Sequence, residues 1–183
     1  QTGIVACTSI SDYIDEKIKK HEFTRHEKEI DRMNHIRTCD ANTSPIFLSY
    51  RPQSEIQTII KTWQKDHQPV YDFTSYHEVT HRVWVIDQIE TIDQLTELFS
   101  EVDALYIADG HHRTESAVKI GLEKRQSGEQ NPETEQFLSI IFPENELAIW
   151  EYNRVLKVAP PSDFVDRLAE NYQVTKTGIK KPE

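Results

Sequence analysis

Hydrophobic positions along this chain alternate between a period of two and a period near 3.6, and each change of period marks an element. Residues 3–9 read as a strand. Ser11 is placed to cap a helix on which Tyr13, Ile14 and Ile18 recur at helical spacing. A charged helix over 28–37 sets Ile30, Met33 and Ile36 on one face, and a turn at 42–45 leads to a strand over 45–50. A helix follows over 54–65, with Ile56, Ile59, Ile60 and Trp63 inward. Residues 70–74 and 79–86 alternate and are β-branched, which predicts a hairpin turning at 75–77.

The second half continues in the same mixed manner. A helix is expected over 92–99 and a short apolar strand, buried on both faces, over 104–108. Asp109-Gly110 breaks that strand, and a helix runs over 113–121 with Gly121 as its C-cap. A loop at 127–132 precedes strands at 137–142 and 147–155, paired across the turn Pro143-Glu144-Asn145, and a last helix covers 163–169. No repeat or low-complexity tract appears. Strands and helices mixed without strict alternation predict an α+β fold.

Composition narrows the classes of function. The 183 residues are 37% hydrophobic and 28% charged, enough for one domain with a sizeable core. The chain reads as a single domain over 1–183, with 137–155 and 163–169 as the start of a second subdomain. Its first residue is Gln1, not Met, so it reads as a piece of a longer protein. Apolar runs such as Val83-Trp84-Val85-Ile86 fall far short of the ~20 residues a membrane span needs. The formal charge of −10 disfavours a nucleic-acid partner, since Lys17, Lys19, Lys20 and the Lys180-Lys181 tail read as solvated surface. Two cysteines, Cys7 and Cys39, form no disulfide framework, and a reducing cytoplasmic setting is expected.

The stretch "YHEVTHR" contains His77-Glu78-Val79-Thr80-His81, an H-E-x-x-H pattern. On a helix its histidines lie ~6 Å apart and grip one zinc ion. Here the second half is strand-like, and in an extended chain the two rings stand ~13 Å apart. A zinc protease is therefore not expected. His21-Glu22 with His26 fails as a helical metal pair too, because a spacing of five places the two histidines on different faces.

Residues 104–121, "ALYIADGHHRTESAVKIG", carry more. A strand ends, Asp109-Gly110 turns, and a helix opens. The first turn of a helix offers free N–H groups and partial positive charge, which suits phosphate. Gly110 allows close approach of a ligand to the backbone, Arg113 supplies a fork of donors, and His111 and His112 are titratable. Asp109 can hold Mg²⁺ or act as a base. Asp-Gly alone would read as an ordinary junction. Asp, Gly, two His and Arg in five residues read as a site.

"YIADGHHRTESA" resembles a bacterial family of unknown function, domain-of-unknown-function family 1015, often labelled ParB-like. "TGIVACTSISDYIDEKIKKHEFTRHEKEIDR", with its His-Glu-x-Thr element, and the short blocks "HRVWVID" and "YNRVLK" are similar to other blocks of that family. The blocks are spread over nearly the whole chain. The resemblance implies a mixed-sheet core like that of the ParB and sulfiredoxin superfamily, with helices packed around it. That superfamily includes an ADP-dependent kinase for free serine, which shares a His-Glu element and an Asp-Gly-His-His-Arg element. By that resemblance, Gly110, His111, His112, Arg113 and Thr114 cradle nucleotide phosphates, and Asp109 holds Mg²⁺ with ADP or ATP. Glu22, with Asp109 and His111, then takes the catalytic role beside the acceptor hydroxyl. His21, His81 and Arg154 are further candidates; the last two lie in family blocks and read as structural. Position 111 is His where sulfiredoxin has its reactive cysteine, and no ParB-type helix-turn-helix is visible.

Three functions fit these residues. The first is a nucleotide-dependent phosphotransferase acting on a small hydroxyl metabolite such as serine. The second is a ParB-like nucleotide-sensing module without catalysis. The third is a metal-dependent hydrolase using His111, His112 and Asp109.

Overall fold

A computed structural model describes residues 1–150 and 157–175. It divides into a compact unit over Gln1–Leu147 and a second unit over Ala148–Glu183. The first unit is built on a five-stranded mixed sheet in the order β1 (Ile4–Ser9), β7 (Gln136–Pro143), β3 (Ile46–Tyr50), β6 (Leu105–Asp109), β2 (Ile18–Lys19), with a separate two-stranded hairpin of β4 (Tyr71–Thr74) and β5 (Thr80–Val83). The fold is α+β, as the mixed period implies.

β1 (Ile4–Ser9) runs antiparallel to β7 (Gln136–Pro143), from Ile4↔Ile141 to Ser9↔Gln136. β3 (Ile46–Tyr50) lies parallel to β7 and antiparallel to β6 (Leu105–Asp109). Residues directly opposite in these ladders point to the same face. That rule puts Leu48, Tyr50, Ile107 and Ile141 on one face with Ile18, and all of these are buried. Ile10, Ala117 and Val118 from the helices join them, as do Ile56 and Leu95, giving a single hydrophobic cluster. Thr8 and Ser139, buried on this face, satisfy each other through a hydroxyl hydrogen bond of 2.9 Å.

The opposite face is less covered. Val5, Cys7 and Tyr106 are exposed there. The expectation that 104–108 is buried on both faces is therefore corrected. Apolar residues in a row satisfy the covered face with Leu105 and Ile107, and Tyr106 and Ala108 take the open one.

Helices α2 (His26–Cys39), α3 (Ser54–Asp66) and α4 (Ile89–Ser100) stand within a few residues of their expected bounds, and α5 (His111–Ser127) starts near its expected position and runs longer. The helix expected to carry Tyr13, Ile14 and Ile18 is shorter. α1 (Ile10–Ile14) is capped by Ser9, whose Oγ accepts the Ser11 N–H at 3.1 Å. The chain then turns through Glu16 at φ +59°, and Ile18 enters a two-residue strand, β2 (Ile18–Lys19). β2 pairs in parallel with β6, Ile18↔Leu105 and Lys19↔Tyr106. Ile18 is buried by the sheet and not by a helical stripe, which sequence spacing alone does not separate.

Gly121 is a second correction. α5 continues to Ser127, and Gly128, at φ +74°, is its C-cap. Gly121 lies mid-helix, where an added Cβ would stand 2.5 Å from Ile10 Cδ1 and 2.7 Å from the Thr134 carbonyl oxygen. It is glycine so that α1 and the 134 loop can approach α5.

The hairpin is present as β4 (Tyr71–Thr74) and β5 (Thr80–Val83), with Phe73 opposite His81. The hairpin expected between 137–142 and 147–155 is not formed over its described part. β7 pairs with β1 and β3 instead, a 3₁₀ turn occupies Glu144–Glu146, and residues 147–150 carry no strand. Residues 151–155 of that expected strand, Arg154 among them, lie outside the described residues. In the second unit a helix, α6 (Phe164–Ala169), matches the expected one. Among the described residues no helix is long and apolar enough to cross a membrane.

Candidate functional site

β6 delivers Asp109 to the end of the sheet, where the β3–β6 register shifts between Phe47 and Leu48. Gly110 follows at φ +100°, a left-handed conformation that glycine adopts without Cβ strain. Its carbonyl accepts the first intrahelical bond of α5, from the Thr114 N–H at 2.9 Å. The Thr114 hydroxyl donates to the same carbonyl at 3.1 Å, and its side chain is fully buried. Thr114 therefore fixes the turn from behind.

The N-terminus of α5 is electrostatically open. No side chain caps it, and no acidic residue lies in its first turn. Seventeen residues of aligned dipole end there on the N–H groups of His111, His112 and Arg113. The Arg113 guanidinium folds back over Gly110, with Nε and one terminal nitrogen 3.0 Å from where a Cβ would be. It donates to Asp109 Oδ2 at 2.7 Å. Arg113 Nε is buried without a hydrogen-bond partner, and so is His111 Nε2.

The second wall comes from the segment between β2 and α2. Because β2 lies parallel beside the start of β6, the chain leaving it passes the end of β6, and His21 and Glu22 arrive at His111. The Glu22 carboxylate stands 3.6 Å from His111 Nδ1, and the His21 and His111 rings meet edge to face at 4.5 Å between centroids. One ligating atom from each of His21, Glu22 and His111 lies within 4.8 Å of the others. His111 is only 6% exposed. Its pKa is held below the ordinary histidine value, chiefly by burial and then by the neighbouring His21, against the opposing pull of Glu22 and Asp109. The ring is therefore neutral at pH 7.

This segment is tied down at two points. The Arg25 N–H donates to His112 Nε2 at 3.0 Å. Thr24 donates its hydroxyl to the buried Glu29 carboxylate, which also receives Lys119 Nζ of α5 at 2.6 Å. Ser116 Oγ adds a bond to the Glu29 carbonyl at 3.2 Å. The Lys119 and Thr24 bonds hold the Glu29 carboxyl below its usual pKa despite its burial.

Between these walls lies a cleft of about 450 Å³. Glu22 and Asp109 to Arg113 line it together with Lys28, Arg32 and His35 of α2. A larger concavity of about 1060 Å³ opens elsewhere, among Trp63, Trp84, Leu95, Phe99 and Ile141. Its lining is mainly apolar and holds none of the clustered groups, which lie at the smaller cleft.

The expected site residues thus divide. Glu22, Asp109, Gly110, His111, His112 and Arg113 share one cleft, and His21 touches His111. His111 is gathered with His21 and Glu22, not with His112 and Asp109, whose polar atoms are engaged by Arg25 and Arg113. His81 sits on the exposed hairpin, stacked on Phe73 at 5.1 Å. His77 occupies the turn beside Tyr76, away from the metal-competent cluster. Sequence reading missed Lys28, Arg32 and His35, whose spacing of four and three residues marks one helix face. It also missed Glu29, which shares a stripe with Met33 and Ile36.

The family model described as Protein of unknown function (DUF1015) matches residues 1–183, and the chain belongs to that family. No curated protein and no solved structure matches the chain.

Proposed function

We propose that this DUF1015 member binds the phosphates of a nucleotide at the N-terminus of α5 and transfers a phosphoryl group to a hydroxyl of a small metabolite, with free serine the first candidate. One observation carries the reading. An uncapped helix N-terminus with no acidic first turn opens into a cleft beside two buried, unpartnered donor groups, Arg113 Nε and His111 Nε2. Left without partners, such groups cost stability, and phosphate oxygens would satisfy them.

The roles follow from position. Gly110 leaves room for the Arg113 guanidinium to fold back over the backbone at the helix N-terminus, and Arg113 neutralises phosphate charge there. His112 and Thr114 hold the turn and the facing loop. Asp109 fits Mg²⁺ accompanying the nucleotide, through the carboxylate oxygen that Arg113 leaves open. Bound there, Mg²⁺ would neutralise charge on the transferring phosphate. Glu22 lines the same cleft and is positioned to orient the acceptor hydroxyl and take its proton as the oxygen bonds to phosphorus. The bond to the bridging oxygen breaks, and the shortened nucleotide leaves with the electron pair. A reducing, cytoplasmic setting agrees with Cys7 and Cys39, both exposed and unpaired.

Isothermal titration with Mg²⁺ complexes of ADP, ATP, CTP and GTP tests the cradle, with Arg113→Ala beside the parent chain. One nucleotide is expected to bind, and the variant is expected to lose about ten- to a hundredfold in affinity, the worth of a charge-assisted contact. An acceptor screen beginning with serine then compares the parent with Glu22→Gln, which should bind nucleotide and fail in transfer. Binding with no transfer to any acceptor would leave a nucleotide sensor. Absence of binding by the parent chain would sink both.

A further inference from the structure

The His21–Glu22–His111 cluster does more than the phosphotransfer reading asks of it. We propose that these three side chains bind one divalent transition-metal ion, of the zinc or cobalt class, in a site with an open coordination position. The inference goes beyond the proposed function and does not depend on the phosphate cradle.

Four features point to a metal. The first is donor chemistry: two imidazoles and one carboxylate suit zinc, cobalt or nickel, whereas Mg²⁺ and Ca²⁺ prefer oxygen alone. The second is distance. Ligands ~2.1 Å from a tetrahedral ion stand ~3.4 Å from each other. Glu22 Oε2 and His111 Nδ1 are already 3.6 Å apart, and all three ligating atoms fall within 4.8 Å. His21 and Glu22 are exposed, so they can close the remaining gap by side-chain rotation.

The third feature is that the protein does not use the His111 ring for itself. Nε2 is buried without a partner, and Nδ1 is beyond hydrogen-bond reach of Glu22. Nδ1, the nitrogen that faces Glu22, is therefore uncommitted and open to an ion between the two. The fourth is anchoring: His111 is fixed in the first turn of α5, and the loop bearing His21 and Glu22 is held by Arg25 on His112 and by Thr24 on Glu29.

Three protein ligands leave a tetrahedral ion one position for water or substrate, as in catalytic and not structural sites. The site borders the cleft, so an acceptor hydroxyl entering there would meet the ion. A carboxylate ligating through one oxygen keeps the second for that hydroxyl's proton, so the metal and the phosphotransfer role of Glu22 are compatible.

The test is titration of the chelator-stripped protein with ZnCl₂ by calorimetry and with CoCl₂ by visible absorption. One ion per chain is expected, with cobalt bands of a four- or five-coordinate site, and excess MgCl₂ should not displace it. His21→Ala and Glu22→Gln, both at exposed positions, should each weaken zinc binding by at least about tenfold, since even outer-shell changes at metal sites cost that much. A His77→Ala, His81→Ala double variant should bind as the parent does. Arg113→Ala should lose nucleotide and keep zinc, which separates failure of this inference from failure of the phosphate cradle. Unchanged binding in both His21→Ala and Glu22→Gln, loss of binding in the hairpin variant, or no stoichiometric site in the parent would each overturn it.

Discussion

Glu29 and Lys119 should be unequal partners, and the inequality can be measured. Glu29 joins α2 to α5 with its side chain 7% exposed, whereas Lys119 is 38% exposed and has a second carboxylate, Glu115, at 3.5 Å. Glu29→Gln keeps the size and an acceptor for Thr24 and loses one charge-assisted bond, worth about 1.5–3 kcal/mol. The stranded ammonium reaches water and Glu115, which brings the expected cost down to about 1–2 kcal/mol. Lys119→Met strands the buried carboxylate instead. Breaking a buried pair that way costs about 3–5 kcal/mol, and the remaining Thr24 bond reduces this to about 2–4.

Urea unfolding at pH 7 should therefore rank Lys119→Met below Glu29→Gln. The pH dependence adds a second check. The folded Glu29 carboxyl titrates below its ordinary 4.5, so its stabilisation is complete above that value and is lost as pH falls through the folded pKa. In Lys119→Met the stranded carboxylate can protonate, so its deficit against the parent should narrow as pH is lowered from 7 to about 4. A cost for Glu29→Gln equal to or above that of Lys119→Met, or a deficit indifferent to pH, would refute the idea that burial of the carboxylate governs this contact.

Two glycines give further outcomes. Gly110→Ala meets φ +100° and an Arg113 guanidinium at 3.0 Å, so thermal unfolding should show a loss of about 1–3 kcal/mol. Nucleotide titration of the same variant should show weakened binding as Arg113 is displaced. Gly121→Ala should destabilise by about 1–3 kcal/mol, because overpacking against Ile10 and the Thr134 carbonyl outweighs the ~1 kcal/mol helix preference of alanine. A stabilised Gly121→Ala protein by denaturant melt would contradict the close packing of α1 on α5.

Elements whose pattern is long and local can be read from the chain alone. α3 and β3 stand almost where periodicity puts them, since an amphipathic stripe and an alternating run each encode their own geometry. The Asp-Gly-His-His-Arg turn was legible for the same reason: a strand end, a left-handed glycine and a helix N-terminus are consecutive in the chain. Strand alternation also sufficed to dismiss the H-E-x-x-H pattern at His77.

Tertiary structure decided the partners. β2 is two residues long, too short to carry a period, yet its pairing with β6 brings His21 and Glu22 to His111 across about ninety residues of chain. Sequence spacing judged His21 against His26, but the cluster with Glu22 is completed by His111, a residue from another element. Gly121 read as a helix end because the sequence shows glycine without the Ile10 methyl that requires it. β7 was expected to pair forward and pairs with β1 and β3 instead, because strand pairing is chosen by which apolar faces meet in the folded core, and a local pattern holds no record of that choice.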